Sequence, residues 1–325
     1  MIWVWFGFIF MILALLTLDL GVLNRNAHVI KPKEAFLWTA FWIFLALLFN
    51  VLIYYMYEYH ILGIGISVGN ELDGSQAVLK FFTGYLLEKS LSLDNIFVIA
   101  MIFTYFKVPP AYQHRVLFWG ILGAIFLRGI MIALGVALIE RFSWMIYIFG
   151  IFLILTAVKL LFQRHDNIEP GKNPLVKLAQ KMYPVSESYQ ENHFFTKIDG
   201  QRAITPLFLV LIVVESSDVL FAIDSIPAIF AVTTDPFIVF TSNIFAILGL
   251  RSLYFALAAV IEKFRFLKMS LVYILAYVGI KMILSHHYPI PTFTSLTIII
   301  GILSVGILAS IYANKRDTAK LKSPL

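Results

Sequence analysis

The chain has 325 residues, 60% of them hydrophobic and 14% charged, with a net charge of +6 and no cysteine. A soluble domain carries about 25% charged residues, so this composition excludes one and indicates a membrane protein with room for about nine or ten spans of ~20 apolar residues. The absence of cysteine excludes a disulfide framework, thiolate metal sites, iron–sulfur clusters and C-x-x-C redox chemistry.

The first apolar run, 2–23, has no basic leader and no small-residue cleavage site, so it reads as an uncleaved helix. A second run, 35–59, completes an N-terminal pair of spans (1–76). Runs at 77–105, 115–139 and 143–163 form one unit (77–163), and the polar connection 164–203 follows. In that connection Leu175, Val176, Leu178, Ala179 and Met182 can share a helical face against Lys172, Lys177 and Lys181. The pattern suits a short helix lying on anionic lipid, or equally an ordinary connector. Runs at 204–231, 237–261 and 268–285 form a second unit (204–285); the last, 292–313, leads to a basic tail within 286–325. All are helix-length and none alternates with period two, so the expected class is an all-α polytopic membrane protein, one membrane domain of about nine transmembrane helices.

Basic residues then orient it. Arg25, Lys31, Lys33; Lys107, Arg115; Arg164, Lys172, Lys177, Lys181, Lys197, Arg202; Lys263, Arg265, Lys268; and Lys315, Arg316, Lys320, Lys322 fall in alternate connections, 18 of the 25. Lys80 and Arg141 alone fall on the other side. The N-terminus is therefore expected outside and the C-terminus inside, with 164–203 cytoplasmic and no nucleic-acid role for the net charge.

Spans three to five resemble spans six to eight. Ser92-Leu-Asp94-Asn-Ile-Phe97 matches Ser216-Ser-Asp218-Val-Leu-Phe221, and Gly123-Ala-Ile-Phe-Leu-Arg128 matches Ala246-Ile-Leu-Gly-Leu-Arg251. Glu140-Arg-Phe142 answers Glu262-Lys-Phe264, and Lys159 answers Lys281. The offset drifts only from 124 residues (Asp94 to Asp218) to 122 (Lys159 to Lys281). Three spans is an odd number, so the second unit enters from the opposite side. Inverted repeats are a transporter architecture with the site near the midplane; the alternative is a duplication relic without transport.

Six acids fall inside spans: Asp19, Glu88, Asp94, Glu215, Asp218 and Asp224. A charge at the bilayer centre costs ~2.5–3.5 kcal/mol on the lenient insertion scale, and five of the six lie on the repeat-related spans three and six. Glu215 and Asp218 are spaced i,i+3 and Glu88 and Asn95 i,i+7, so each pair shares a helix face. Asp94 and Asp224, each six residues beyond Glu88 or Asp218, leave that face. With Pro227 and the Ser/Asn-rich Ser90, Ser92, Asn95, Ser216, Ser217 and Ser225 nearby, local unwinding is expected, which would add carbonyl oxygens. The seven histidines (28, 60, 114, 165, 193, 286, 287) lie in connections or at span ends. The ligand chemistry is thus oxygen, suited to Mg²⁺, Ca²⁺ and Mn²⁺.

Each acid also has a plainer reading, pairing with Lys89, Arg128 or Arg251 to fix helix register. Arg128 and Arg251, symmetry mates, read as charge balancers for the carboxylates. Three basic residues cannot balance five clustered acids, which favours a functional role for Asp94, Asp218 and Asp224. Asp19, near the end of its span, suits a cavity mouth or a plain interface, while Ser92, Ser217 and Ser225 are candidate cavity residues. Lys159 and Lys281 are expected to snorkel, and Asn50 and Asn243 to bond between helices.

Glu88-Lys-Ser-Leu-Ser-Leu-Asp94-Asn95, Thr205-Pro206-Leu and Glu215-Ser-Ser-Asp218-Val-Leu-Phe-Ala-Ile-Asp224-Ser-Ile-Pro227 resemble the signature segments of the TerC family. The stretch Asp224 to Asp235-Pro-Phe, with Ser242-Asn to Arg251, resembles its Alx branch. The resemblance implies a multi-pass protein of the bacterial inner membrane, of the wider lysine-exporter type, linked to manganese export and tellurium resistance. It carries a metal role onto Glu88, Asp94, Asn95, Glu215, Asp218 and Asp224. Alx members are also called redox modulators, a label that no cysteine, buried histidine or nucleotide motif here supports; an indirect effect through manganese supply fits better.

The leading expectation is a divalent-cation exporter, Mn²⁺ first among candidates, with proton antiport as its weaker extension. Its partners are then the metal ion and the lipid bilayer, with no permanently bound cofactor. The rival is a membrane scaffold in a stress or redox response, acting through partners at 164–203. An enzyme is disfavoured, since there is no H-E-x-x-H and no placed nucleophile–base pair.

Overall fold

The computed structural model describes residues 2–18, 32–162, 173–198, 200–258 and 266–322. The described helices are α1 (Ile2–Leu18), α2 (Pro32–Glu58), α3 (Gly74–Tyr105), α4 (Pro110–Arg141), α5 (Met145–Phe162), α6 (Pro174–Met182), α7 (Pro206–Phe230), α8 (Pro236–Ile247), α9 (Leu250–Ala258), α10 (Leu267–Leu284) and α11 (Thr292–Lys322). Six are long and apolar enough to cross a membrane, seven if α8 and α9, bent by 40°, count as one span. The chain is an all-α polytopic membrane protein. Of the nine expected spans, α1 has 17 residues, and α3, with 32, carries Lys80, Glu88, Lys89 and Asp94; these two stand apart from that set.

Helix starts follow local chemistry. Pro110, Pro174, Pro206 and Pro236 occupy first-turn positions, where the missing N–H has no helical partner to lose. Asp73 caps α3 by accepting from Gln76 N, and Asp235 caps α8 by accepting from Ile238 N at 2.9 Å. Asp235 also accepts from Tyr57 Oη and Asn70 N, which ties the 59–73 connection to α2 and α8.

The unwinding expected near the serines of α3 and α7 is absent: both helices run unbroken, α7 through Pro227. Three of the serine hydroxyls bond back to their own helix, Ser90 to Leu86 O at 2.6 Å, Ser216 to Val213 O at 2.9 Å and Ser217 to Val213 O at 2.8 Å, so they satisfy helical carbonyls without opening the turn. The interruption lies in span seven. There Gly249 has φ +81°, and Lys89 of α3 donates to Ala246 O (3.1 Å) and Leu248 O (3.5 Å) at the end of α8. A half-buried Lys89 amine thus satisfies the carbonyls that the break leaves open, at the end of the helix where a cation complements the dipole.

A Cβ at Gly249 would also stand 2.8 Å from Trp42. Gly249→Ala is therefore expected to cost roughly 1–3 kcal/mol. Gly301→Ala, with nothing within 4 Å of the new carbon, should be neutral. Thermal midpoints of the two variants in detergent check this contrast.

Packing pairs α3 with α8, α7 with α4, and α5 with α10. Small residues permit the close approaches, as in membrane bundles generally: a Cβ at Gly150 would lie 2.9 Å from Gly279 O, and one at Gly279 2.7 Å from Gly150 O. Aromatic rings of α1, α2, α3 and α8, among them Phe8, Phe49, Phe81 and Phe245, fill one core. Lys159 is exposed on α5, whereas Lys281 is buried on α10 and does not snorkel.

The 173–204 connection is folded. Strands β1 (Phe195–Ile198) and β2 (Gln201–Ile204) form an antiparallel hairpin in a connection for which the sequence suggested only a short helix; four residues each make a weak pattern. Helix α6 turns Val176 inward and leaves Leu175, Leu178 and Met182 exposed. Asn173 caps it and donates to Ser216 Oγ of α7 at 2.7 Å. Tyr189 Oη donates to Phe106 O at 2.7 Å; burial pushes its phenol up, so it stays a donor. Arg115 lies over the Phe194 ring, 5.1 Å from its centre. The connection is thereby fixed onto one end of α3, α4 and α7.

Candidate functional site

Arg128 of α4 is 1% exposed and makes five side-chain hydrogen bonds, all to oxygen. Nε and Nη2 donate to the two oxygens of Asp218 on α7, at 3.1 and 3.0 Å, the bidentate fork that suits a carboxylate. Nη1 donates to Glu88 Oε1 on α3, to Ser225 Oγ and to Asn243 Oδ1, the last two at 3.2 Å. Asn243 Nδ2 then donates to Glu88 Oε2 at 3.3 Å. Four helices, α3, α4, α7 and α8, meet through one guanidinium.

Asp218 has 14% of its side chain exposed, and it lines a cavity with Asn95, Ser217 and Arg251, walled by apolar residues such as Ile121, Val214 and Phe221. The free space is ≈ 20 Å³, about what one water or one bare ion needs. Arg251 lies beside His114, with Nη1 2.7 Å from Nε2.

The other expected residues lie around this centre. Asp94 is half-buried on α3, one residue before Asn95. Glu215 lies one turn before Asp218, its carboxylate against Gly123 of α4, and its Oε2 is buried with no hydrogen-bond partner. Asp224 turns away, about 240° round α7 from Asp218, and accepts from Thr156 Oγ1 of α5 at 3.0 Å. Ser92 is 1% exposed with its Oγ unpartnered, Ser225 belongs to the Arg128 cluster, and Lys89 serves the break in span seven. Asp19 lies outside the described residues, as does the Glu262–Phe264 half of one repeat match.

The six carboxylate and amide positions thus do not converge on one point. Among the described residues no group of three or more His, Asp or Glu side chains could hold a metal ion. Glu88 and Asp218 meet through Arg128, and Asn95 and Asp218 share the cavity. His114 and Thr156 were not picked out from sequence: one is a histidine in the second turn of α4 and the other a lone hydroxyl on α5, and only packing shows what each faces.

The profile described as the integral membrane protein TerC family matches residues 73–318. An "Uncharacterized membrane protein STKORF319" of Myxococcus xanthus is 50% identical over 311 residues, 96% of this chain and 92% of that protein. Proteins named "Putative membrane-bound redox modulator Alx" are 46% identical: in Salmonella typhi over 98% of this chain and 97% of that protein, in Escherichia coli K12 over 96% and 95%. No solved structure matches the chain.

Proposed function

The chain belongs to the TerC family of integral membrane proteins, and on that premise we propose that it exports a divalent metal cation, Mn²⁺ first, across the bacterial inner membrane. The observation that carries the reading is the pair Glu88, fully buried, and Asp218, mostly buried, carboxylates on two different helices, with Asp218 lining a small cavity that has Asn95 and Ser217 on its wall. Charges at that depth are expensive and mark ion pathways. The donors are carboxylate, amide and hydroxyl oxygens, which suit Mn²⁺ and its hard neighbours. Asp94, Glu215 and Asp224 extend the set along α3 and α7.

Two further observations support alternating access by inverted repeats. Helix α3 packs on α8 as α7 packs on α4, and α5 packs on α10, the pairing that a two-fold relation between 77–163 and 204–285 would generate. In this reading the chain has nine spans, the connection 164–203 is cytoplasmic, and proton antiport resets the carrier. No catalytic step is involved.

Efflux of ⁵⁴Mn²⁺ from proteoliposomes at two pH values tests the proposal: metal-dependent flux is expected, faster with protons on the receiving side. Asp94→Asn and Asp224→Asn should each lose it; full activity in both, with normal insertion, would remove them from the site. A second reading, a scaffold acting in a stress or redox response, is favoured by the folded 173–204 connection and by the relatives' name. Neutralising Lys177, Lys181, Lys197 and Arg202 should then abolish function while the carboxylate variants keep it.

A further inference from the structure

The oxygens around Arg128 make an unusual binding site. Both Asp218 oxygens, Glu88 Oε1, Ser225 Oγ and Asn243 Oδ1 converge from three helices on one cationic group. Such a shell would suit a hard dication. Here its occupant is a cation tethered to α4. The two cannot share the place, because like charges a few ångströms apart in a low-dielectric interior repel strongly. A dication that takes Glu88 and Asp218 must displace Arg128, and a buried guanidinium stripped of its carboxylates needs another anion.

Glu215 stands where that anion is needed. It lies three residues before Asp218 on the same face of α7, about 4.5 Å along the axis. Its carboxylate fills the space that Gly123 leaves on α4; any Cβ there would collide with it. Its Oε2 is buried without a hydrogen-bond partner, and a native buried acceptor of that kind calls for an explanation. Helices α4 and α7 run parallel, with Gly120 near Val214, Gly123 against Glu215 and Gly135 against Phe230. Helical side chains lean toward their own N-terminus, so the arm of Arg128 lies over the turns that lead back to Gly123.

We propose that Arg128 is a tethered substitute for the transported cation, held by Glu88 and Asp218 as seen here and moving one turn to Glu215 when a dication takes that pair. The inference rests on the exporter reading and refines it: Glu215 is the alternate seat of Arg128, not a ligand of the ion.

Mn²⁺ binding to the purified full-length protein in detergent, by calorimetry, tests it through a double-mutant cycle. Arg128→Met should bind Mn²⁺ about tenfold tighter than wild type, since the internal competitor is gone. Glu215→Gln should weaken binding roughly tenfold in the wild-type background, yet change it less than about twofold in the Arg128→Met background. An equal loss in both backgrounds makes Glu215 a direct ligand and overturns the proposal, as does Arg128→Met binding no tighter. If Arg128→Met does not purify as a monodisperse protein, Arg128→Lys replaces it. Its point charge cannot bridge two carboxylates, so binding should tighten several-fold and the Glu215→Gln effect should shrink. Wild-type protein that neither binds nor moves Mn²⁺ defeats the exporter reading, and the tethered-cation proposal with it, whatever the order among the variants.

Discussion

Asp218→Asn is expected to lower Mn²⁺ efflux by about 100-fold, the equivalent of ~2.7 kcal/mol, with insertion and folding preserved. Among the described residues, Asp218 is the one acid that faces both Arg128 and the cavity. Asparagine keeps its size and one acceptor oxygen, so the helices stay packed. What is lost is the charge that would hold a dehydrated dication, together with one of the two bonds to Arg128. Initial rates of ⁵⁴Mn²⁺ efflux from proteoliposomes, normalised to inserted protein, give the measurement. A rate within about threefold of wild type would remove Asp218 from the pathway.

Glu88→Ala is expected to be the most destabilising single change in the membrane region, by ~3–5 kcal/mol. Glu88 is fully buried, and each of its oxygens is bonded, one to Arg128 and one to Asn243. Alanine leaves a cavity, an unbalanced guanidinium and an unsatisfied amide in a place water does not reach. Glu88→Gln retains an acceptor for Arg128 and should cost clearly less. The thermal midpoint in detergent should fall by roughly 10 °C for Glu88→Ala. Glu140→Ala, at an exposed position near the end of α4, is the control. Equal midpoints for the two alanine variants would mean that the Arg128 cluster does not stabilise the bundle.

Helix placement was largely legible in the sequence, because twenty-residue apolar runs have few other uses. The break in span seven was not, since Leu248-Gly249 sits inside an apolar stretch and its capping ammonium comes from Lys89, some 160 positions earlier. The hairpin at 195–204 escaped because each of its strands completes only two periods of alternation. Within the site, the presence of costly charges could be read from composition, but their grouping could not. Asp218 and Asp224 look alike in sequence, yet six residues of helix turn them to different neighbours, Arg128 and Thr156. Asn243 was expected to bond between helices, and its bonds run to α3 and α4. Which residues it would join depended on α8 packing against α3, a long-range fact that no local pattern encodes.

The seam between α5 and α10 has a mechanical consequence. At Gly150 and Gly279 the two backbones meet with no side chain between them. Such a contact leaves no clearance for one helix to slide along the other, so relative motion there reduces to pivoting. Paired labels across the seam at the glycine level should hold a constant separation through any cycle, while pairs at the helix ends change theirs. In a chain that contains no cysteine, each introduced thiol is unique, so that ruler can be built without first removing any native thiol.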